Sequence, residues 1–260
     1  VVCEELAALG VNLSCLQASG RSVLEVLQSI VSNYHDGTPN GIRMDEASGL
    51  IWSPTHFTWM DTNHPAGTPR EGYPVEIQAL WVRLLRQLGG EWDEIRLQAE
   101  ASFKKLFFLK EGWLADLLIA GEGKNALDAT PSNALRSNGL LAVALGVVEP
   151  KPARRMVAAA QRYLVVPGAV RSLAPLAVKP SLPIKSRDDT LLNNPDKPYC
   201  GRYEDDEDTR RKPAYHNGTA WVWLLPVFCE SLVQAWDFTP ESVAAAKSYL
   251  LSAEPLLNEG

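Results

Sequence analysis

Several features that define common protein classes are scarce or absent in this sequence. It has four cysteines in 260 residues, Cys3, Cys15, Cys200 and Cys229, and their spacings match no zinc or Cys-x-x-Cys pattern. It has no apolar run of about 18 residues, the length that a membrane-spanning helix needs. The opening residues VVCEELAALG lack the basic start of a signal peptide. We therefore expect free thiols, buried or half-buried, in a reducing, cytoplasmic compartment, and no membrane partner.

Basic residues are also in the minority. Lysine and arginine number 25 against 31 aspartates and glutamates, which gives a formal net charge of -6. Nucleic acids and anionic membranes attract basic surfaces, so neither is expected as a partner. His35, His56 and His64 share one region, but no two of them have the spacing of one helix face. No Gly-x-Ser-x-Gly, phosphate-loop or dinucleotide motif occurs, so we predict neither a metal nor a cofactor.

What the sequence does contain is a series of helical patterns. Apolar residues at helical spacing predict helices over 22–34, 74–88, 91–109, 136–146, 152–164, 221–235 and from 239 onward. Ser22 and Thr239 are candidate N-caps. No stretch of alternating strand-type residues lies between the helices, so we predict one all-α domain over residues 1–260. The turn-rich stretch 38–73 is predicted to be a long loop, in which short strands are left open. Two connections, 38–73 and 165–217, far exceed the usual loop length and carry polar and aromatic clusters, which indicates a functional role.

The first polar and aromatic cluster is THFTWMDTN, residues 55–63. Asp61 follows Met60 and lies two residues after Trp59. Aromatic and thioether surfaces are expected to remove water from this carboxyl, which disfavours its ionised form and suits a general acid near neutral pH. The alternative is structural, because Asp-Thr-Asn is also a good turn-forming sequence. Taken alone, the stretch favours the turn.

Two further clusters stand at predicted helix starts. Glu76 follows Pro74, where the helix dipole favours a carboxylate that accepts hydrogen bonds, although simple helix capping is the favoured local interpretation. Arg136 and Asn138 open an apolar helix within the sequence Arg-Ser-Asn-Gly. They are candidates to face a polar ligand, whereas Ser137 or Asn138 is also a candidate N-cap.

The richest cluster is AYHNGTAWVW, residues 214–223. Tyr215, His216, Trp221 and Trp223 offer neutral donors and acceptors beside aromatic faces, which is how polyhydroxylated ligands are held. A lone histidine is more often structural, so His216 by itself carries little weight. The acidic run upstream, EDDEDTRRK, is interpreted as a solvated loop.

Six stretches, taken in order, resemble one known family, the amylo-α-1,6-glucosidase domain of glycogen debranching enzymes. They are GLIWSPTHFTWMDTN, GTPREGYPVEIQALW, RSNGLLAVAL, PGAVRSLAP, YCGRYEDD and AYHNGTAWVWLLPVF, and they span about residues 36–228. The resemblance implies an (α/α)6 toroid, the fold of six-hairpin glycosidases, which we expect to be incomplete. Little sequence precedes Leu24 to supply the family's first helix pair. Glu259 matches a glutamate that comes before the family's catalytic base, not the base itself, which is expected just after Gly260.

The resemblance also implies an activity. We expect an inverting glycosidase that hydrolyses α-1,6 branch linkages in glycogen or limit dextrins and releases glucose, with an α-glucan as its partner. Inversion needs an acid carboxyl and a base carboxylate about 6.5–9.5 Å apart on either side of the bond. Asp61 matches the aspartate of the family's Thr-Trp-Met-Asp motif, its general acid. The residues expected to bind the sugar are Trp59, Glu76, Arg136, Asn138, Tyr215, His216, Trp221 and Trp223.

The sequence departs from the family pattern at two places, and other functions stay open. Arg-Ser-Asn-Gly replaces Arg-Pro-Asn-Gln, which leaves the role of Gly139 open, and Trp-Val-Trp replaces Trp-Pro-Trp at 221–223. The alternatives are another toroidal inverting α-glucosidase of the glucoamylase or trehalase kind, an α-glucan-binding fragment without catalysis, and a helical scaffold for protein partners. A scaffold would leave the loop-borne Trp59, Asp61 and His216 without a purpose.

Overall fold

The computed structural model describes residues 1–62 and 68–257. Its helices are α1 (Val2–Ala8), α2 (Val23–Asp36), α3 (Val75–Leu88), α4 (Asp93–Leu106), α5 (Asn138–Ala144), α6 (Pro150–Tyr163), α7 (Lys212–Tyr215), α8 (Leu224–Ala235), α9 (Pro240–Leu251) and α10 (Glu254–Leu257). Turns of 3-10 helix lie at Gly90–Trp92 and Ala126–Asp128, and a π-helical turn at Glu207–Arg211 leads into α7. The motif residues Asn63, His64, Gly67 and Glu259 lie outside the described residues.

The predicted helices are all present, with boundaries that differ from the predictions by up to three residues. Ser22 begins α2 with a capping box. Its Oγ accepts from the backbone N–H of Glu25 at 3.2 Å, and Glu25 Oε2 accepts from the backbone N–H of Ser22 at 2.7 Å. Thr239 caps α9 by accepting from the backbone N–H of Ser242. These bonds satisfy donors that the first turn of a helix leaves unpaired.

The prediction of an all-α domain is wrong in one respect, because the mostly helical chain also forms short strands. They are β1 (Gln17–Ala18), β2 (Arg21–Ser22), β3 (Arg43–Asp45), β4 (Leu50–Trp52), β5 (Gly72–Pro74), β6 (Leu117–Ile119), β7 (Thr130–Pro131), β8 (Val165–Val166), β9 (Ala169–Arg171) and β10 (Ala220–Trp221). Within the described residues they form four small antiparallel sheets, ordered β1-β2, β3-β4, β5-β6-β7 and β10-β9-β8. Strands of two or three residues are too short to leave an alternating pattern in the sequence.

The sheets fix both ends of the loop that carries Asp61. Ser53, which follows β4, exchanges two backbone hydrogen bonds with Gly72 at the start of β5, of 2.8 and 3.0 Å. Gly72 has a φ of +127°, and a Cβ atom there would lie 2.1 Å from the carbonyl oxygen of Leu118 on β6. The close approach of β5 and β6 therefore requires glycine at this position.

Buried polar side chains attach α3 to the hairpin of β3 and β4. The Gln78 amide accepts from the backbone N–H of Ile51 and donates to the Ile51 carbonyl, both at 2.8 Å. The indole N–H of Trp81 donates to the Gly49 carbonyl at 2.8 Å. Since these groups are shielded from water, each bond is costly to lose and holds the start of α3 in place.

Helix α8 lies at the centre of the helical packing, against α5, α6 and α9. Phe228 is fully buried and meets Tyr249 of α9 edge-on, with ring centroids 5.0 Å apart. Burying such an aromatic side chain contributes about 2–3 kcal/mol. The prediction of a buried helix here is confirmed, although the helix begins at Leu224 because Trp221 belongs to β10.

Closure of the helices into a toroid stays a prediction. Some large apolar side chains are exposed on the helices, including Leu80 of α3 at 50% and Leu251 of α9 at 65%. Within residues 1–62 and 68–257, no helix combines the length and the apolar character needed to cross a membrane.

The cysteines differ from the expectation at one position. Cys3 and Cys200 are half-buried and Cys229 is buried, but Cys15 is exposed. Burial raises the pKa of the Cys229 thiol to about 11, so this side chain behaves as a small apolar group.

Candidate active site

Two buried arginines and two buried carboxylates form the centre of the candidate site. Arg70 donates through both Nη atoms to the Glu76 carboxylate, with Nη2 2.8 Å from Oε2. Its Nε lies 3.0 Å from Asp116 Oδ2, and its Nη2 lies 3.1 Å from Asp116 Oδ1. Arg136 Nε lies 3.4 Å from the same Oδ2 atom. None of the four residues is more than 4% exposed, so each buried charge depends on its partners for compensation.

The pKa values of the two arginines shift in opposite directions. Burial disfavours both guanidinium ions. For Arg70, attraction to Asp116 and Glu76 outweighs burial and raises the pKa. For Arg136, burial dominates and, together with repulsion from Arg70, lowers the pKa to about 10 despite the attraction of Asp116. Both side chains therefore remain cations at neutral pH, and the four-residue ionic cluster is balanced.

Strand pairing explains why Glu76 and Asp116 lie together. β5 runs directly into α3, which places Glu76 in the first turn of that helix. Asp116 immediately precedes β6, the strand that pairs with β5. The backbone N–H of Val75 donates to the Asp116 carbonyl at 3.1 Å. The register of this pair of strands thus brings two carboxylates from distant parts of the chain to one arginine.

Asn138, the first residue of α5, links the ionic cluster to the loop of Asp61. Its Nδ2 donates to Asp116 Oδ1 at 2.7 Å, and its Oδ1 accepts the indole N–H of Trp59 at 2.7 Å. Met60 Sδ lies 3.4 Å from the same Nδ2, and the Met60 side chain is fully buried. The Asn138 amide nitrogen donates to a carboxylate, and its oxygen accepts from an indole. These two bonds define the orientation of the amide group.

Arg136 links the ionic cluster to the residues that precede β10. It donates through Nη1 to the His216 carbonyl and through Nη2 to Asn217 Oδ1 at 2.8 Å. His216 Nδ1 in turn lies 2.5 Å from Thr62 Oγ1. Burial, reinforced by the positive charges of Arg136 and Arg70, lowers the pKa of His216 to about 3. The imidazole is therefore neutral at physiological pH and supplies hydrogen bonds, not charge.

Aromatic side chains surround Trp59 and His216. Trp59 meets His216 and Trp223 nearly at right angles, with ring centroids 5.1 and 4.9 Å apart. Tyr215 meets His216 at 4.7 Å and Trp221 at 4.5 Å. Trp59, Tyr215 and Trp221 are half-buried and Trp223 is 45% exposed. These rings are the accessible part of the site, and their flat faces suit the apolar face of a sugar ring.

Asp61 is exposed, so the expectation that its neighbours would shield it from water is wrong. Met60 turns into the core, where it contacts Asn138, and Phe57 is itself 43% exposed. The apolar residues next to Asp61 in sequence therefore pack into the fold or face solvent. The carboxyl is open to a ligand in this structure.

The eight predicted binding residues belong to one network of contacts, which Arg70 and Asp116 complete, and they divide into two layers. Glu76, Arg136, Asn138 and His216 are at most 3% exposed and are bonded to protein groups. Arg136 and Asn138 are therefore engaged by protein groups in this structure, and their role in sugar binding stays a prediction. Among the described residues, His216 Nε2 has no hydrogen-bond partner. The outer layer consists of Trp59, Tyr215, Trp221 and Trp223.

Sequence reasoning missed part of the network. The missed residues are Thr58, Thr62, Arg70 and Asp116, which bond to predicted members or to one another. Asp116 did carry a signal, because it is a lone charge in the apolar run WLADLLIA, and a buried carboxylate must be paired. Nothing local distinguished Arg70.

The structure also gives Gly139 a role. This residue is buried in α5, and a Cβ atom there would lie 2.7 Å from Met156 Cε of α6. Gly139 therefore packs against the end of the Met156 side chain, which would have to shift to make room for a larger residue.

Comparison with known proteins adds three findings. The family model described as amylo-alpha-1,6-glucosidase matches residues 7–180 and 189–259. No curated protein sequence matches the chain significantly. Among solved structures, the GH63 mannosylglycerate hydrolase of Thermus thermophilus, in complex with Tris, is similar with 14% sequence identity and a TM-score of 0.41. That similarity covers 69% of this chain and 37% of the hydrolase, so the chain spans little more than a third of that protein.

Proposed function

We propose, from the premise that the chain belongs to the amylo-alpha-1,6-glucosidase family, that it hydrolyses α-1,6-glucosidic branch linkages in glycogen or limit dextrins and releases glucose. The observation that carries the proposal is the position of Asp61. Its exposed carboxyl lies between Trp59 and Thr62, and both neighbours are held by the buried network. An accessible acid at a fixed position beside aromatic surfaces is what cleavage of a sugar bond needs.

Asp61 acts as the general acid in this proposal. Its carboxyl donates a proton to the oxygen of the scissile α-1,6 bond as that oxygen leaves C1 of the glucosyl unit. A second carboxylate takes a proton from the water that attacks C1 on the opposite face. The released sugar is then β-glucose, and Asp61 regains its proton from solvent. Trp59, Tyr215 and Trp223 offer the aromatic faces against which the glucosyl ring rests.

The second carboxylate is neither Glu76 nor Asp116. Both are buried and bonded to arginine, and Asp116 also accepts from Asn138. Their burial and their arginine partners keep both carboxylates away from a water molecule that attacks a bound glucosyl unit. We assign the base to a carboxylate outside the buried network.

Glucose release from a branched limit dextrin tests the proposal. The full-length protein, referred to below as the unmodified chain, is expected to release free glucose, and Asp61→Asn in that protein is expected to lower kcat by about 100- to 10,000-fold, the range that general acid catalysis supplies. Asp189→Asn is the matched control, because Asp189 is an exposed aspartate whose φ of 63° asparagine also tolerates. Full activity of Asp61→Asn would overturn the acid assignment, and no glucose from the unmodified chain would overturn the function.

A panel of linkages separates this activity from related ones. We expect α-1,6-branched dextrins to be cleaved faster than linear α-1,4 maltooligosaccharides and faster than trehalose. A preference for maltooligosaccharides would favour a glucoamylase-like enzyme, and a preference for trehalose a trehalase-like enzyme.

A second candidate function is α-glucan binding without hydrolysis. It is favoured by the observation that Glu76 and Asp116, the carboxylates of the network, are both engaged by arginine. Titration with maltooligosaccharides, followed by tryptophan fluorescence, distinguishes the two. Saturable binding of maltooligosaccharides, together with no glucose released from a branched limit dextrin during prolonged incubation, would support the binding protein and contradict the enzyme.

A further inference from the structure

Asp116 lies where three segments of the chain meet. Its Oδ1 accepts from Arg70 Nη2 at 3.1 Å and from Asn138 Nδ2 at 2.7 Å. Its Oδ2 accepts from Arg70 Nε at 3.0 Å and lies 3.4 Å from Arg136 Nε. The residue is 4% exposed. Three hydrogen bonds and the ion pair with Arg136 thus surround the carboxylate, and its burial keeps it away from a substrate.

Two chains of contacts lead outward from this carboxylate. The first runs through the Asn138 amide to the indole N–H of Trp59, with two bonds of 2.7 Å. The second runs through Arg136 to the His216 carbonyl, and the His216 ring then meets Thr62 Oγ1 at 2.5 Å.

The two chains end on either side of the exposed Asp61. Trp59 precedes it by two residues, and Thr62 follows it directly. Asp61 is exposed and Trp59 and Thr62 are only half-buried, so packing alone constrains this segment weakly. Hydrogen bonds that reach both flanks supply the constraint that burial does not.

The charges of the network make Asp116 difficult to replace. Arg70 and Arg136 are balanced by Glu76 and Asp116, and all four are buried. Glu76 bonds only to Arg70 among the described residues, whereas Asp116 contacts both arginines and Asn138. Glu76 therefore balances charge, while Asp116 also connects both chains of contacts.

We infer that Asp116 is a positioning residue for the reaction at Asp61, acting through Asn138 and Trp59 on one side and through Arg136, His216 and Thr62 on the other. This inference rests on the proposed function for its kinetic consequence. The role of Asp116 in placing the loop does not depend on catalysis and can be tested without an activity assay.

The test compares Asp116→Asn with Glu76→Gln in the full chain. Both variants remove one buried negative charge and replace a carboxylate with an amide of the same shape. The NMR signal of the Trp59 indole N–H, assigned with Trp59→Phe, reports on the loop. We expect this signal to move or broaden in Asp116→Asn and to stay near its original position in Glu76→Gln, with both variants folded by circular dichroism.

Kinetics on a limit dextrin give the second readout. We expect kcat to fall by about 100-fold in Asp116→Asn, the effect of misplacing a reacting group by about 1 Å, with a smaller change in KM. Asn138→Leu, which interrupts one chain of contacts and keeps all four charges, is expected to reproduce most of this loss. If Asp116→Asn does not fold, Asp116→Glu, which keeps the charge and displaces the carboxylate oxygens, is the test in its place.

The outcomes separate the two proposals. An unchanged Trp59 signal in folded Asp116→Asn, or in Asp116→Glu where the first variant does not fold, overturns the positioning role. Equal losses of kcat and equal signal shifts in Asp116→Asn and Glu76→Gln also overturn it, because they indicate a general effect of lost charge. If the unmodified chain releases no glucose, the proposed function fails, and the indole signal alone decides the positioning role.

Discussion

The indole N–H of Trp59 donates to Oδ1 of Asn138 at 2.7 Å, although the two residues lie 79 positions apart in the chain. Asn138 is fully buried, while Trp59 is half-buried and carries the loop that continues to Asp61. The bond therefore ties an accessible segment to the core at a defined point. The same Asn138 amide also donates to Asp116, which is 4% exposed, so the bond links the loop to the buried ionic cluster.

Replacing Trp59 by phenylalanine should separate the contribution of the indole N–H to stability from that of the aromatic ring. The phenyl group keeps an aromatic surface, but the buried Oδ1 of Asn138 loses its donor. We expect the free energy of unfolding to fall by about 1–3 kcal/mol, the usual loss when a buried polar atom is left unpaired. Urea denaturation measures this loss.

Trp223→Phe is the control for that experiment. Trp223 is 45% exposed and contacts Trp59 through its ring. Its replacement should change the free energy of unfolding by about 0.5 kcal/mol or less. Equal losses in the two variants would mean that the Trp59–Asn138 bond contributes nothing specific.

Arg70→Lys should destabilise the chain even though the charge is kept. A single ammonium group cannot reach the two oxygens of Glu76, the two of Asp116 and the Thr58 hydroxyl together, as the guanidinium does. We expect a loss of at least about 2 kcal/mol in the free energy of unfolding, because each lost bond joined charged groups.

Arg96→Lys is the matched surface variant. Arg96 pairs with Asp93 and Glu100 on one face of α4, where its side chain is 24% exposed. Partly exposed pairs of this kind contribute about 0–1 kcal/mol. If Arg70→Lys were no more harmful than Arg96→Lys, the buried ionic cluster would not stabilise the fold as described.

Stability should depend on pH through His216. Burial, and then repulsion from Arg136 and Arg70, lowers its pKa from 6.5 to about 3. Between these values the unfolded chain binds a proton at this residue and the folded chain does not. The free energy of unfolding therefore falls as the pH falls from about 6.5 toward 3, by at most about 1.4 kcal/mol per pH unit from this group.

Urea unfolding of His216→Asn across that pH range measures the contribution. This variant should lose the part of the slope that belongs to His216, whereas Thr62→Val, which removes the hydroxyl and keeps the imidazole, should retain it. Identical slopes in the unmodified chain and in His216→Asn would refute the assignment.

Gly72→Ala should disrupt the pairing of β5 with β6. The added methyl group would lie 2.1 Å from the Leu118 carbonyl oxygen, so one of the strands must move. That movement would also displace Glu76 and Asp116, which flank the paired strands. We expect the free energy of unfolding to fall by about 3 kcal/mol or more, as for a substitution that overpacks the core severely.

Gly112→Ala isolates the steric part of this effect. Gly112 also has a positive φ, +100° against +127° for Gly72, but a Cβ atom there would meet nothing within 4 Å. The free energy of unfolding of Gly112→Ala should fall by about 1–2 kcal/mol, because backbone strain is the only cost there. Thermal unfolding of both variants gives the comparison, and equal shifts in Tm would contradict the close approach of the strands.

The helices were predictable because their signals are local. The capping box of Ser22 and Glu25 and the cap at Thr239 lie within four residues of the groups that they satisfy. The short strands were not predictable, since β5 and β6 depend on each other across the chain and not on their own alternation.

The candidate site, like the fold, was predictable only where its signals are local in the sequence. The aromatic density around Trp59 and Trp221 is visible in the sequence and marks the outer layer. The pairing of Arg70 with Asp116 joins residues 46 positions apart, so no local spacing encodes it. The exposure of Asp61 was wrongly predicted because it depends on the turn of Met60 into the core, toward Asn138.

The stereochemistry of the first glucose released from a branched limit dextrin tests the central claim most directly. Proton NMR during the first minutes of reaction distinguishes the two anomers before they interconvert. The account predicts that the unmodified chain releases β-glucose from α-1,6 branch points and that Asp61→Asn releases almost none. Release of α-glucose, or equal release by both proteins, would contradict it.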